Sequence, residues 1–241
     1  MARLEFLSPE GLRLDGRRPN EIRKYNGQLS AVPHSDGSAI FNFGNTKIVA
    51  TVFGPKDSDK APVDKGFIST KFHAAAFSST SGDRRRGERR LSEWADAITT
   101  IFSSVLQLEL FPRSQVDIFV EVLSADGSIL SASINAVSLA LVDASIPMKD
   151  YVVSLTAAYI RDQILMDANR QELRGGGNLT AAFAPRSGKV IGVYSEQKIP
   201  ENRLQDIICS TQRASRSVFE DLDAKVVRPR LQSLFVSIKN K

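Results

Sequence analysis

The chain has 241 residues, a formal net charge of +5 and a single cysteine, Cys209. A content of 42% hydrophobic and 24% charged residues is typical of a globular protein with a large core, and no apolar run reaches a membrane-spanning length of about 20 residues. One cysteine excludes an internal disulfide and a cysteine-rich metal site, and we expect Cys209 to be buried on a helix. Without an apolar signal core at the N-terminus, we expect an intracellular protein without membrane contact.

Short strands joined by tight turns are predicted for the first part of the chain. After an irregular segment over 1–24, alternating apolar residues predict strands at 28–32, 38–43, 47–53 and 67–77. The dipeptides Asp36-Gly37 and Gly44-Asn45 are typical of hairpin connections. Polar composition predicts loops at 56–65 and 78–90.

Helices follow each run of strands. A long amphipathic helix is predicted from a cap at Ser92 to the Phe111-Pro112 pair, and a strand at 116–123 leads into an apolar helix ending near 144. The second half repeats this order, with strands at 152–160, 163–167, 179–183 and 190–195 and a helix from Pro200 to about 222. Strands in adjacent runs favour an α+β layered fold. We expect a single domain over 1–241, with halves at about 25–147 and 148–225 and a basic C-terminal tail.

Positive charge is concentrated before the first long helix. Five arginines fall within seven residues, at Arg84, Arg85, Arg86, Arg89 and Arg90. Such a cluster suits a phosphate backbone, because each guanidinium can bond two oxygens, although it is also typical of a solvated loop. Further cations precede it, at Lys56 and Lys60.

The turn that follows the strand at 116–123 resembles a phosphate site. Asp126 and Gly127 stand between a strand and a helix N-terminus, where free amides and the helix dipole favour anions. However, Ile129 and Leu130 occupy the positions where such a site needs a hydroxyl and a cation.

Four segments in chain order resemble the RNase PH family, over about residues 8–222. They are Gly11-Leu-Arg-Leu-Asp-Gly-Arg-Arg18, Leu110-Phe-Pro-Arg-Ser-Gln-Val-Asp-Ile118, Ala125-Asp-Gly127 with Asn135-Ala136, and Ala140-Leu-Val-Asp-Ala-Ser-Ile-Pro-Met148. Within the family, the chain is most similar to the eukaryotic exosome ring subunit that is orthologous to the archaeal catalytic subunit.

The resemblance implies the RNase PH fold, with two pseudo-symmetric βα layers similar to domain 2 of ribosomal protein S5. It implies a dimer with a second RNase PH-type subunit, and a ring completed by other ring and cap subunits. Active members shorten single-stranded RNA from the 3′ end with inorganic phosphate, and a separate hydrolytic exoribonuclease joins the eukaryotic complex. The resemblance implies that the protein is located in the nucleus, including the nucleolus, and in the cytoplasm. We expect no cofactor, and His34 and His73 match no metal spacing.

Carried over residue by residue, the resemblance predicts RNA contact without catalysis. Arg89 and Arg90 match the RNA-holding arginine pair of the family, with Arg84, Arg85, Arg86, Lys56 and Lys60 as weaker candidates. The phosphate turn is degenerate at Gly127, Ser128, Ile129 and Leu130, where a tight turn and a helix cap are the expected roles. A catalytic aspartate is replaced by Asn178, and the other falls near Glu172 or Leu173. The prediction is therefore a non-catalytic subunit that lines the RNA channel and scaffolds the ring.

Two alternatives remain. An active phosphate-dependent exoribonuclease would need Glu172 or Asp167 to replace the missing acid. A purely structural subunit would use its arginines to bind neighbouring proteins instead of RNA.

Overall fold

The structure is a computed structural model that describes residues 8, 11–59, 61–78 and 84–229, and for 84–88 it describes the backbone alone. The strands are β1 (Tyr25–Leu29), β2 (Gly37–Phe43), β3 (Thr46–Asp57), β4 (Phe67–Ala74), β5 (Ser114–Ser124), β6 (Val153–Ile160), β7 (Gln163–Met166), β8 (Gly177–Ala184) and β9 (Lys189–Ser195). The helices are α1 (Arg84–Val105), α2 (Ile129–Asp143) and α3 (Glu201–Leu222), with 3₁₀ turns at Leu108–Leu110 and Glu172–Arg174 and a π-helical turn at Asp223–Val227.

Two sheets form the frame of the molecule. The first has the order β1-β2-β3-β5-β4, in which β4 and β5 are parallel because α1 crosses between them. The second is antiparallel with the order β7-β6-β8-β9. The predicted α+β fold is therefore confirmed.

Helix α2 lies between the sheets, packed against β2 and β3 on one side and β6 on the other. Its residues from Leu130 to Leu141 are all buried, as expected for a helix that is apolar on every face. Two of its polar side chains bond the chain at and just before β6: the Asn135 amide exchanges hydrogen bonds of 2.8 and 3.0 Å with the Ser154 backbone, and the Ser138 hydroxyl donates to the Val152 carbonyl. One apolar core runs through both sheets.

Several local predictions are wrong. Helix α1 begins at Arg84, so part of the predicted 78–90 loop is helical, because arginine and glutamate favour a helix nearly as well as alanine. Ser92 therefore lies within the helix and does not cap it. Strand β1 begins three residues earlier than predicted, and β3 continues to Asp57, so Lys56 is a strand residue. Cys209 is exposed on α3. Within the described ranges, no helix has the length and apolar character to cross a membrane.

Candidate functional site

The turn between β5 and α2 packs directly on the second half of the chain. Gly127 has φ +87°, and a Cβ there would lie 2.6 Å from the Ala168 carbonyl oxygen and 2.7 Å from the Arg170 nitrogen. Both the left-handed backbone and the close approach therefore require glycine. The segment that follows β7 is thus held against the N-terminus of α2.

Side chains from the first sheet fix the conformation of this turn. The Thr46 hydroxyl donates to the Gly127 carbonyl at 2.8 Å and accepts from the Asp126 amide at 3.1 Å. The Asn45 amide donates to the Asp126 carboxylate, and the Arg23 guanidinium donates to the Asp126 carbonyl at 2.8 Å. The turn is therefore preorganised before any ligand binds.

The residues of the degenerate phosphate turn take different places. Ser128 occupies the N-cap position with φ +53°, but its hydroxyl donates to the Ala168 carbonyl at 2.9 Å, and no side-chain cap bond forms. Ser128 therefore stands at the predicted cap position, but its side chain does not cap the helix. Leu130 is buried in the core, whereas Ile129 and Gly127 line an open pocket.

This pocket has a cavity volume of about 380 Å³ and lies between α1, the β5–α2 turn and the chain from β7 to β8. Its polar and charged lining includes Arg90, Arg170, Arg174, Asn178, Glu196 and Gln197. A wider groove of about 570 Å³ shares Arg90, Asn178 and Glu196 and extends past Arg89 toward Tyr194. Three arginines and one carboxylate around a helix N-terminus make the pocket a site for anions.

Arg90 is the cation held most firmly in the pocket. Its guanidinium lies over the Trp94 ring, 4.8 Å from the centroid, and forms a two-pronged ion pair with Glu196 in which the Nε–Oε1 distance is 3.1 Å. Glu196 Oε2 also accepts from Asn178 Nδ2 at 3.4 Å. The position at which the family's aspartate is lost therefore has a carboxylate as its immediate neighbour.

The first carboxylate proposed to replace that aspartate is unavailable. Glu172 is fully buried in an ion pair with Arg13, whose Nε lies 2.7 Å from Glu172 Oε1. Arg13 also donates to the carbonyls of Met166 and Asp167, at 2.6 and 3.0 Å. The predicted alternative role of Glu172 as an acid is wrong, because this carboxylate fastens the pocket floor to the N-terminal segment.

Asp167 is likewise held in a buried ion pair, with Arg23. Its carboxylate accepts from Arg23 at 2.6 and 2.7 Å and from the Arg23 backbone at 2.9 Å. Burial lowers the pKa of Arg23, but the hydrogen bond and charge of Asp167 outweigh it, so the pKa is raised overall. Asp167 is therefore also a structural residue and not a free acid.

Of the predicted RNA-binding residues whose side chains the structure describes, Arg89 and Arg90 line the same wider groove, and Lys56 does not. Arg90 lies in the pocket, whereas Arg89 lies on the rim, 86% exposed, and pairs with Glu93 at 3.1 Å. Lys56 lies on β3 in a close ion pair with Asp117. Lys60 and the side chains of Arg84, Arg85 and Arg86 lie outside the described residues.

The sequence reasoning missed three residues of the pocket. Arg170 and Arg174 precede β8, and Glu196 directly follows β9. The only sequence signal was their place at the ends of predicted strands, which does not reveal which strand ends meet. Within the described part of the chain, no three His, Cys, Asp or Glu residues are grouped as metal ligands would be.

The fold is that of an α+β protein with an arginine-rich pocket at a strand-turn-helix junction. The model of the RNase PH family, described as "3' exoribonuclease family, domain 1", matches residues 21–147. The chain belongs to this family.

Relatives extend the match over the whole chain. It is 36% identical over 244 residues to Exosome complex component RRP41 of Bos taurus, covering 98% of each chain. It is 36% identical over 217 residues to Exosome complex component SKI6 of Saccharomyces cerevisiae, covering 86% of this chain and 87% of that one. The solved structure of Oryza sativa Rrp46 matches with a TM-score of 0.79 and 24% identity, over 90% of this chain and 100% of that one. The predicted RNase PH fold is confirmed.

The prediction that the chain is not an enzyme is contradicted. The family is one of 3′ exoribonucleases, and Exosome complex component Rrp41 of the archaeon Thermoplasma volcanium is 29% identical over 221 residues, covering 90% of this chain and 89% of that one. The prediction rested on the loss of an acid at Asn178 and of a cation at Ile129 and Leu130. In the folded chain, segments distant in sequence bring Glu196, Arg170 and Arg174 into the same pocket.

Proposed function

We propose that this chain is a phosphate-dependent 3′-to-5′ exoribonuclease subunit of an exosome-type ring. The observation that carries the proposal is the pocket in which Arg90, Arg170 and Arg174 surround the N-terminus of α2, with Glu196 as its acid. RNA and inorganic phosphate are both anions, and the pocket has cations enough to hold one of each.

Arg90 is the residue that holds the 3′-terminal region of the RNA. Its guanidinium is oriented by stacking on Trp94 and already holds a carboxylate through two contacts. An RNA phosphate presents the same pair of oxygens and replaces Glu196 on that fork. Arg89, on the rim of the adjoining groove, attracts the RNA strand upstream of its end.

The attacking phosphate binds between the start of α2 and the segment after β7. The first amides of α2 have no acceptor within the helix, and Ile129, in its first turn, lines the pocket. Arg170 and Arg174 supply the positive charge that is missing at Ile129 and Leu130. Two arginines therefore replace the single cation on the turn.

The reaction follows from holding both anions in one cavity. A phosphate oxygen attacks the terminal internucleotide phosphorus, and the bond from that phosphorus to the preceding O3′ breaks. The products are a nucleoside diphosphate and an RNA one residue shorter, and the proton lost by the attacking hydrogen phosphate ends on O3′. The pocket arginines offset the negative charge that collects in the transition state.

The partners belong to the same proposal. The relatives are named as components of an exosome complex, which supports an assembly with other subunits. Within it we propose a second RNase PH-type subunit as dimer partner, further ring and cap subunits and a separate hydrolytic exoribonuclease. Single-stranded RNA is the substrate, held without base contacts and therefore without strong sequence preference. Nuclear, nucleolar and cytoplasmic pools are proposed on the same grounds, and imaging of a tagged chain tests them.

The test is to reconstitute the ring from this chain and its partners and to incubate it with single-stranded RNA, with and without inorganic phosphate. Nucleoside diphosphates should form only with phosphate. Arg170→Ala and Arg174→Ala should each raise the KM for phosphate by about tenfold or more, because a charge-assisted hydrogen bond contributes about 1.5–3 kcal/mol. Arg216→Ala, an exposed α3 change outside the pocket, is the matched control. A ring that binds RNA but forms no diphosphates would refute the proposal.

A further inference from the structure

Phosphate-dependent cleavage needs a group that handles the proton passed to O3′, and the pocket restricts the choice. Glu172 and Asp167 are buried in ion pairs with Arg13 and Arg23. Among the described residues that line the pocket, Glu196 is the single acidic one. Its side chain is 39% exposed, so it can turn toward a bound ligand.

Strand pairing explains how this carboxylate reaches the place of a lost one. Leu179 on β8 pairs with Ser195 on β9, so the residues just beyond that pair, Asn178 and Glu196, are neighbours across the two strands. Their side chains meet, with 3.4 Å between Asn178 Nδ2 and Glu196 Oε2. Asn178 Oδ1 is buried and has no hydrogen-bond partner within the described structure, so the amide is poorly matched to its surroundings.

We propose that Glu196, directly after β9, is the catalytic carboxyl group of this chain and takes the role of the β8 position now occupied by Asn178. The inference rests on the proposed function. Glu196 takes the proton of the attacking hydrogen phosphate as the new P–O bond forms, and passes it to O3′ as the old P–O bond breaks. No other reactant is consumed, and the carboxylate is regenerated in each turnover.

The ion pair with Arg90 fits this role. Without RNA, Glu196 neutralises Arg90 through both oxygens. When an RNA phosphate takes the guanidinium, the carboxylate is released at the place where the two anions meet. RNA binding therefore positions the substrate and frees the proton carrier in one exchange.

The decisive variant is Glu196→Gln in the reconstituted ring. It should lower kcat for diphosphate release by about 100-fold or more, the usual range for removal of a proton-transfer group. RNA affinity should stay the same or increase, because Arg90 loses a competing carboxylate. Glu220→Gln, which makes the same charge change at an exposed α3 position, should match the wild type in both measurements.

A second variant tests the relocation. Asn178→Asp added to Glu196→Gln restores a carboxylate 3.4 Å from the original one and should recover at least tenfold of the lost kcat. The plot of kcat against pH should also change its acidic limb between the wild type and this double variant, since a different carboxyl group then titrates.

The outcomes separate the two proposals. A wild-type ring without diphosphate release overturns the proposed function, and the role of Glu196 with it. An active wild type whose Glu196→Gln variant stays within threefold in kcat overturns the role of Glu196 alone. A variant that loses RNA affinity in parallel with kcat, or a double variant without any recovery, also overturns the role of Glu196.

Discussion

The ion pair between Arg13 and Glu172 gives the sharpest stability prediction. Both side chains are fully buried, and Glu172 accepts two hydrogen bonds from Arg13 and one from the Asn169 amide at 2.8 Å. Glu172→Gln keeps the shape of the side chain but leaves the guanidinium buried without its counter-charge. Breaking one partner of such a pair typically costs about 3–5 kcal/mol in the free energy of unfolding.

The loss should be visible in equilibrium unfolding of the purified chain. In a protein of this length each kcal/mol shifts Tm by about 2–4 °C, so the variant should melt about 6–20 °C lower, as followed by circular dichroism. Urea unfolding should give the same free-energy loss. Because the pair fastens the segment that carries Arg170 and Arg174, the KM for phosphate should also rise.

The control replaces the pair as a whole. Arg13→Met combined with Glu172→Leu removes both charges, and it should be more stable than Glu172→Gln alone because no buried charge is left unpaired. A loss below about 1 kcal/mol for Glu172→Gln would refute the reasoning, because it would show that water reaches the pair.

Three further predictions concern the turn, an ion pair between two inner strands of the first sheet, and the pocket. Gly127→Ala should destabilise the fold by clearly more than Gly188→Ala. Gly188 has a similar φ of +69° but no neighbour closer than 3.9 Å, so its substitution isolates the backbone penalty of about 1–2 kcal/mol. Equal losses of unfolding free energy in urea would exclude the predicted clash. Burial alone raises the pKa of Asp117, but the hydrogen bond from Lys56 keeps this pKa below the usual 3.8, so Lys56→Met should raise it in an NMR titration. The stability that the pair contributes is present above pH 3.8 and is lost as the pH falls through the lowered pKa. An unchanged pKa in the variant would contradict the assignment. Trp94, the chain's single tryptophan, lines the pocket, so its emission should change on adding RNA and should stay constant if RNA binds elsewhere.

Much of the fold could be predicted from the sequence, because most elements carry a clear period. The alternation in β5 and the wholly apolar α2 indicated both elements and the turn between them. The start of α1 at Arg84 could not be predicted, since a run of charged residues shows no apolar period. A single domain stays a prediction, supported by the continuous core, and one cooperative unfolding transition is the expected result.

The site could be predicted only in part, because its chemistry depends on which strand ends meet. The turn at Gly127 and the site residue Arg90 could be predicted from the sequence. The sequence left Glu172 or Asp167 open as a replacement acid in the active alternative, but arginines about 150 residues away bury and neutralise both. Glu196 could not be found from the sequence, because it lies beside Asn178 only through the pairing of β8 with β9. The sequence does not show which strands are neighbours.

The Arg13 clasp also has a consequence for how the chain folds during synthesis. Glu172 lies 159 positions after its partner Arg13, so the ion pair can form only when the second half of the chain has been made. A nascent chain that ends before the second sheet lacks the pocket residues that the second half supplies. The pocket is therefore completed only after the second half of the chain has been made.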